Sequence, residues 1–173
     1  MIKNWKKLKE EVIKVGFRSV IKRTFELPDG RVDEYTINHW GESVCILPIT
    51  ENNEVVLFKQ FRPGPEKVLL ELPGGHAEKQ KPIHAAEREL LEETGYAGDI
   101  KFVGTNYHCG YSDRIRYNFV ATNCKKIQEQ QLDKNEFGEV VLMPLKEFRE
   151  HLRSGELTDV ETGYLGLDFL NLL

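Results

Sequence analysis

Glu89, Glu92 and Glu93 occupy one stripe of a predicted helix, immediately behind the glycine turn Leu72-Pro73-Gly74-Gly75. Residues three and four apart are neighbours on a helix, so Glu89 faces both of the others. At ~100° per residue the three fall within an arc of about 100°. Like charges at that spacing cost a helix a few tenths of a kcal/mol per pair, an expense that a bound cation removes. Carboxylate oxygens are hard ligands and suit Mg²⁺ or Mn²⁺, with substrate phosphate and water completing the shell. The competing reading of a Glu-rich helix face is plain solvation.

The flanking elements favour chemistry. Ile83, Ala86 and Leu90 form an adjoining apolar stripe, which gives the helix a side to bury. Gly95 follows the last turn, where a left-handed C-cap belongs. Upstream, Val68 to Leu72 reads as a strand ending at Pro73. Strand, glycine turn and acidic helix make one unit.

That unit, Gly74 to Tyr96, resembles the Nudix box, Gly-x₅-Glu-x₇-Arg-Glu-U-x-Glu-Glu-x-Gly-U, where U is a bulky apolar residue. Gly74, Arg88, Glu89, Leu90, Glu92, Glu93, Gly95 and Tyr96 fit in register, and Gln80 stands where the first Glu belongs. Gln60-Phe61-Arg62 and Leu70-Glu71-Leu72-Pro73-Gly74-Gly75 are similar to the Gln-Tyr-Arg…Glu-Leu-Pro-Ala-Gly pattern of the ADP-ribose pyrophosphatase subgroup. The subgroup's loop Ser-Pro-Gly-Phe-Ser-Asp-Glu reads His108-Cys109-Gly110-Tyr111-Ser112-Asp113-Arg114 here, so Cys109 replaces a specificity proline and Arg114 an acid.

The resemblance implies an α+β Nudix α/β/α sandwich with an N-terminal β-hairpin extension, divided into residues 1–42 (dimerisation and substrate) and 43–173 (hydrolase). It implies Mg²⁺-dependent cleavage of the pyrophosphate of ADP-ribose or a related nucleoside diphosphate sugar by a cytoplasmic homodimer. The alternatives are another nucleoside diphosphate derivative, such as a GDP- or UDP-sugar, and a non-catalytic nucleotide-sugar-binding module, the latter suggested by Gln80. Glu89 and Glu93 are the expected metal ligands, with Glu92 third and the Gly74 carbonyl a further ligand by resemblance. Arg88 is expected to orient these glutamates rather than touch substrate, since a bidentate Arg fixes carboxylates well. A base for the attacking water is expected from the loop Asp133 to Glu139, with Glu136 first and Glu139 second; Glu93 or Glu89 is the alternative. For substrate, Arg62 is a candidate for phosphate or base, Glu71 belongs with it, and Phe25 is a candidate for adenine stacking across a dimer. Tyr111 and Ser112 are candidates for the sugar pocket. His76 and His84 read as surface residues.

Composition sets the outer bounds. A chain of 173 residues fits one domain with a real core. Its net charge of −4 gives no electrostatic reason to expect nucleic acid. Cys45, Cys109 and Cys124 lack metal-ligand spacing and read as free thiols of a reducing compartment, with Cys109 packed rather than reactive. No stretch approaches the ~18–20 apolar residues of a membrane span, and no signal peptide is visible. The Lys-rich start, Met1 to Lys14, reads as an amphipathic helix with Trp5, Leu8, Val12 and Val15 inward. It packs on the body or rests on a membrane surface.

Further strands are expected over Phe17–Leu27 and Arg31–Trp40, joined by the turn Pro28-Asp29-Gly30. Others fall at Ser43–Ile49, Val55–Phe61, Lys101–Tyr107, Ile115–Thr122 and Glu139–Met143. Pro144 is expected to open a helix ending near Gly155, and Asp159 to Leu173 to form the last helix.

Overall fold

A computed structural model of the chain describes residues 2–16 and 18–173. The chain forms two compact units, residues 1–42 with 107–115 and residues 43–106 with 116–173.

The first unit is an antiparallel sheet of β1 (Lys6–Val15), β2 (Arg18–Glu26) and β3 (Val32–His39), in that order. The β2–β3 hairpin closes at Glu26↔Val32, with Leu27 N–H donating to Arg31 O at 2.7 Å and Gly30 at φ 84°. Phe17, where the expected strand begins, lies outside the described residues. Met1 does too.

The N-terminal helix is not formed. Lys6 to Val15 is a strand instead, and Trp5, Leu8, Val12 and Val15 are exposed. Non-local pairing with β2 overrides the helical spacing. Glu10 sits opposite Arg23 and accepts from its Nε at 2.8 Å, and Lys6 meets Glu26 at 3.5 Å. The β-branched Val12, Ile13 and Val15 also suit the pleated surface.

The second unit is built on a seven-stranded mixed sheet. Its main path runs β10 (Gly138–Pro144), β5 (Glu54–Arg62), β4 (Ser43–Thr50), β9 (Ile115–Lys126), β8 (Tyr96–Tyr107). In addition, β6 (Lys67–Glu71) pairs with β5, and β7 (Gly74–His76) with β4. Strand β4 runs parallel to β9 and is buried from Ser43 to Ile49. Its continuous apolar run follows from being covered on both faces. Val44 and Ile46 pack with Ala85, Ala86 and Leu90 of α1 (Pro82–Thr94). Cys45, Leu47 and Ile49 pack with Phe148 and Leu152, in and just after α2 (Leu145–His151), and with Leu167 of α3 (Val160–Phe169). Helix, sheet and helix make the α/β/α sandwich.

The helices differ from expectation in detail. Ile83 is 37% exposed, and Ala85 takes its place in the buried face. Pro144 precedes α2 as its N-cap, and Leu145 is the first helical residue. Helix α2 ends at His151, before the turn to Gly155 at φ 77°. Helix α3 stops at Phe169 because Asn171 turns left-handed at φ 55° and Leu172 N–H bonds back to Leu167 O at 2.8 Å. Its Gly166 is a packing residue: a Cβ there would stand 2.6 Å from Leu47 Cδ2. Among the described residues, no helix is long and apolar enough to cross a membrane.

Candidate active site

Helix α1 begins with Pro82 at its first position, where a missing N–H costs nothing. It ends at Gly95, left-handed at φ 74°, whose N–H bonds to Leu91 O. The last carbonyls would be orphans. Gln131 N–H satisfies that of Glu92 at 2.8 Å, and the Gln130 side chain that of Glu93 at 2.6 Å. The helix end is therefore fixed from both sides.

Ala86, Leu90 and Glu93 share the buried face, so the apolar stripe itself carries a carboxylate into the protein. Glu93 is 6% exposed, and its Oε2 accepts the Gly74 N–H at 2.8 Å. Burial raises its proton affinity well above that of an ordinary carboxyl; the Gly74 bond and Arg62 oppose this, while Glu89 and Glu136 add to it. Glu89 is raised too, chiefly by burial, against the pull of Arg88. Glu136 repels both, which places the 133–139 loop within electrostatic reach of the pair. Glu139 instead pairs with Lys59 at 2.6 Å.

Arg88 binds three groups. Its Nη1 donates to Glu92 at 2.7 Å, and its Nη2 to Glu89 at 2.8 Å and to the His76 carbonyl at 3.2 Å. Glu92 is the outermost of the three acids, with its side chain 40% exposed. Gly75 makes room for Glu89: a Cβ there would meet its Oε1 at 2.4 Å. Among the described residues, no three His, Cys, Asp or Glu side chains are gathered as a ready-made cage. The donor set still fits Mg²⁺, which takes one or two protein carboxylates and fills its shell with phosphate and water. The buried Glu93 and the half-buried Glu89 repel each other, and they suit that role.

Arg62 pairs through Nε with Glu71. Glu71, expected at the substrate, has no exposed surface; it accepts from Arg62 and from Thr158 Oγ1. Gln80 is exposed in the turn before α1, its N–H bonded to Ala77 O at 3.1 Å. His76 and His84 are exposed as well.

The other candidates belong to the first unit. Phe25 is half-buried in an aromatic trio with Trp5 and Tyr35, at centroid distances of 6.1 and 6.0 Å. Tyr111 is 61% exposed, and its carbonyl accepts the Asn38 N–H at 2.9 Å. Ser112 Oγ donates to Asn38 O at 3.3 Å. Cys109 is exposed, not packed, while Cys45 and Cys124 are buried, and all three are free thiols. The Arg18 and Arg114 guanidinium groups stand 4.2 and 5.8 Å from the ring centre of Trp40.

Sequence reasoning missed Thr158, Asp159 and Arg116. Arg116 Nη2 and Asp159 Oδ1 form a buried ion pair at 2.8 Å. Arg116, a charge just before the apolar Phe119-Val120-Ala121 run of β9, was a signal; Thr158 offered none.

The NUDIX domain family profile matches residues 39–160. The chain belongs to the Nudix family. An ADP-ribose pyrophosphatase of Bacillus subtilis (strain 168) is 30% identical to this Nudix chain over 168 residues, covering 95% of this chain and 90% of the relative. The methanol dehydrogenase activator of Bacillus methanolicus is 31% identical over 154 residues, covering 85% and 81%. The Nudix fold here matches a crystal structure of an ADP compounds hydrolase with a TM-score of 0.81 at 20% identity, across 100% of this chain and 99% of that one. The protein is a Nudix pyrophosphohydrolase of ADP-ribose-pyrophosphatase-like type.

Proposed function

We propose that this Nudix hydrolase cleaves the pyrophosphate bond of ADP-ribose or a related nucleoside diphosphate sugar, giving a nucleoside monophosphate and a sugar phosphate. The observation that carries the reading is the pairing of buried Glu93 with half-buried Glu89 behind Gly74, in a chain that aligns over most of its length with an ADP-ribose pyrophosphatase. Glu89 and Glu93, with Glu92 and the Gly74 carbonyl, would hold Mg²⁺ or Mn²⁺. Bound there, the cation would neutralise the pyrophosphate and lower the pKa of a water.

The chain's own residues supply the rest. Arg88 keeps Glu89 and Glu92 oriented. Arg62 offers its guanidinium to a phosphate while Glu71 fixes its Nε edge. Glu136, exposed and held by the Asp133 N–H at 3.1 Å, takes the proton of the attacking water.

A second substrate, such as a GDP- or UDP-sugar, is favoured by one observation. Arg114 stands near Trp40 where the subgroup's loop carries an acid. The protein acts as a cytoplasmic homodimer, supported by the exposed Leu8, Val12 and Val15 of β1 and by its free thiols.

The test incubates the protein with ADP-ribose, GDP-mannose and UDP-glucose, with Mg²⁺ or EDTA, and identifies products by mass. AMP and ribose phosphate from ADP-ribose support the first reading, and preference for another sugar nucleotide the second. Intact substrates, or release of free sugar with an unbroken diphosphate, would refute both. Light scattering reads the dimer.

A further inference from the structure

Two ion pairs of the second unit meet at one hydroxyl. Thr158 Oγ1 donates to the buried carboxylate of Glu71, whose other oxygen pairs with Arg62 Nε. The same hydroxyl lies 3.2 Å from Asp159 Oδ2. Asp159 Oδ1 in turn pairs with Arg116 Nη2 at 2.8 Å, and Glu161 stands 3.5 Å from Arg116 Nη1. Arg62, Glu71, Thr158, Asp159 and Arg116 are thus successive polar neighbours, with the exposed Thr158 between the two ion pairs. Glu71, Asp159 and Arg116 are all buried.

Each of the two buried carboxylates has an arginine, Glu71 with Arg62 and Asp159 with Arg116, and the more exposed Glu161 adds a second acid beside Arg116. A hydroxyl carries one hydrogen, so Thr158 donates to one carboxylate at a time. The closer is Glu71. That bond satisfies the Glu71 oxygen that Arg62 does not use. A buried carboxylate oxygen left unsatisfied is costly, and it turns toward any donor it can reach. Without Thr158, Glu71 would reorient and carry the Arg62 guanidinium with it. Arg62 lies within electrostatic reach of Glu93, whose proton affinity it lowers slightly, and its side chain is 39% exposed.

We infer that Thr158 is a positioning residue: it fixes Glu71, and through Glu71 it holds the Arg62 guanidinium at the Nudix carboxylate site. Asp159, itself paired with Arg116, lies behind the hydroxyl at 3.2 Å without taking its hydrogen. This deepens the proposed function, and its catalytic half rests on Arg62 binding the pyrophosphate.

The test uses the full chain with Thr158→Val, which keeps the shape and removes the hydroxyl, Thr158→Ala as a second deletion, and Thr158→Ser as the rescue. Proton exchange at the Arg62 Nε–H is read by NMR and assigned by its loss in Arg62→Lys. KM and kcat for ADP-ribose with Mg²⁺ are read beside Arg62→Gln. In Thr158→Val and Thr158→Ala the exchange should speed up about tenfold, and KM rise about tenfold with a smaller change in kcat, as for a lost hydrogen bond to a charged group. Thr158→Ser should restore both. Unchanged exchange in the folded Val and Ala variants overturns the inference. So does a raised KM in Arg62→Gln with wild-type KM in Thr158→Val. If exchange speeds up but Arg62→Gln keeps wild-type KM, the positioning stands and the phosphate role of Arg62 fails.

Discussion

The backbone N–H of Gly74 donates to Glu93 Oε2 at 2.8 Å, joining the strand before the acidic helix to the last acid on it. The bond holds a 6% exposed carboxylate against a backbone that it needs as an acceptor. Glutamine keeps an oxygen for that bond and removes the charge. Glu93→Gln should therefore fold normally and lose at least about 10²-fold in kcat, the scale for removing a group at the reacting centre. Circular dichroism and steady-state rates with ADP-ribose check this. Wild-type turnover in the folded variant would remove Glu93 from the chemistry.

The same acid sets a pH dependence. Burial raises the proton affinity of Glu93 well above the ordinary value of 4.5, so between the two values the folded chain binds more protons than the unfolded one. Stability then falls as pH rises through that window. Glu93→Gln lacks the effect, so in EDTA its Tm relative to wild type should climb as pH rises above the ordinary value of 4.5. Mg²⁺ should raise the wild-type Tm more at the upper end, where protons no longer compete for the carboxylates. A Tm difference that shrinks with rising pH would contradict the burial of this charge.

Gly74 and Gly75 adjoin in sequence but fail differently when enlarged. A Cβ on Gly74 would stand 2.4 Å from the Val44 carbonyl oxygen, in the backbone of β4. A Cβ on Gly75 would meet the Glu89 carboxylate, which can swing aside. Gly74→Ala should cost about 1–3 kcal/mol of stability, as overpacking does. Gly75→Ala should melt closer to wild type and lose activity, because Glu89 is displaced. Melting curves and kcat/KM for the two variants separate the effects.

The acidic helix was legible in the sequence because its signals are local. The spacing of Glu89, Glu92 and Glu93 and the stop at Gly95 lie within one element, as does the turn at Pro28-Asp29-Gly30. Lys6 to Val15 was not legible. Leu8, Val12 and Val15 have helical spacing, and only pairing with Glu26 to Arg18 across the sheet makes the segment a strand. The fate of Glu71 was hidden for the same reason: its partner Thr158 is 87 residues away. Only the fold brings them together.

Arg88 joins Glu89 to Glu92 with its two terminal nitrogens, a fork that a lysine cannot reproduce. Arg88→Lys should lower kcat/KM at least about tenfold. Stability should change by about 1 kcal/mol, because lysine keeps the positive charge beside these partly buried acids. Equal activity in the lysine variant would show that the charge alone suffices.

Glu136 and Glu139 lie in one loop and at its exit, with different electrical surroundings. Glu136 pushes up the proton affinity of Glu89 and Glu93, whereas Glu139 is occupied by Lys59 at 2.6 Å. If Glu136 takes the proton of the attacking water, Glu136→Gln should cut kcat by about 10²-fold or more. It also removes a negative charge that acts on both acids, so Glu89 and Glu93 should lose their protons at lower pH. The acidic limb of the residual rate profile should then move down in pH. Glu139→Gln should alter neither the rate nor the limb, since it breaks only an exposed pair. Rates across the acidic range for both variants decide between them, and a slow Glu139→Gln beside a wild-type Glu136→Gln would transfer the role to Glu139.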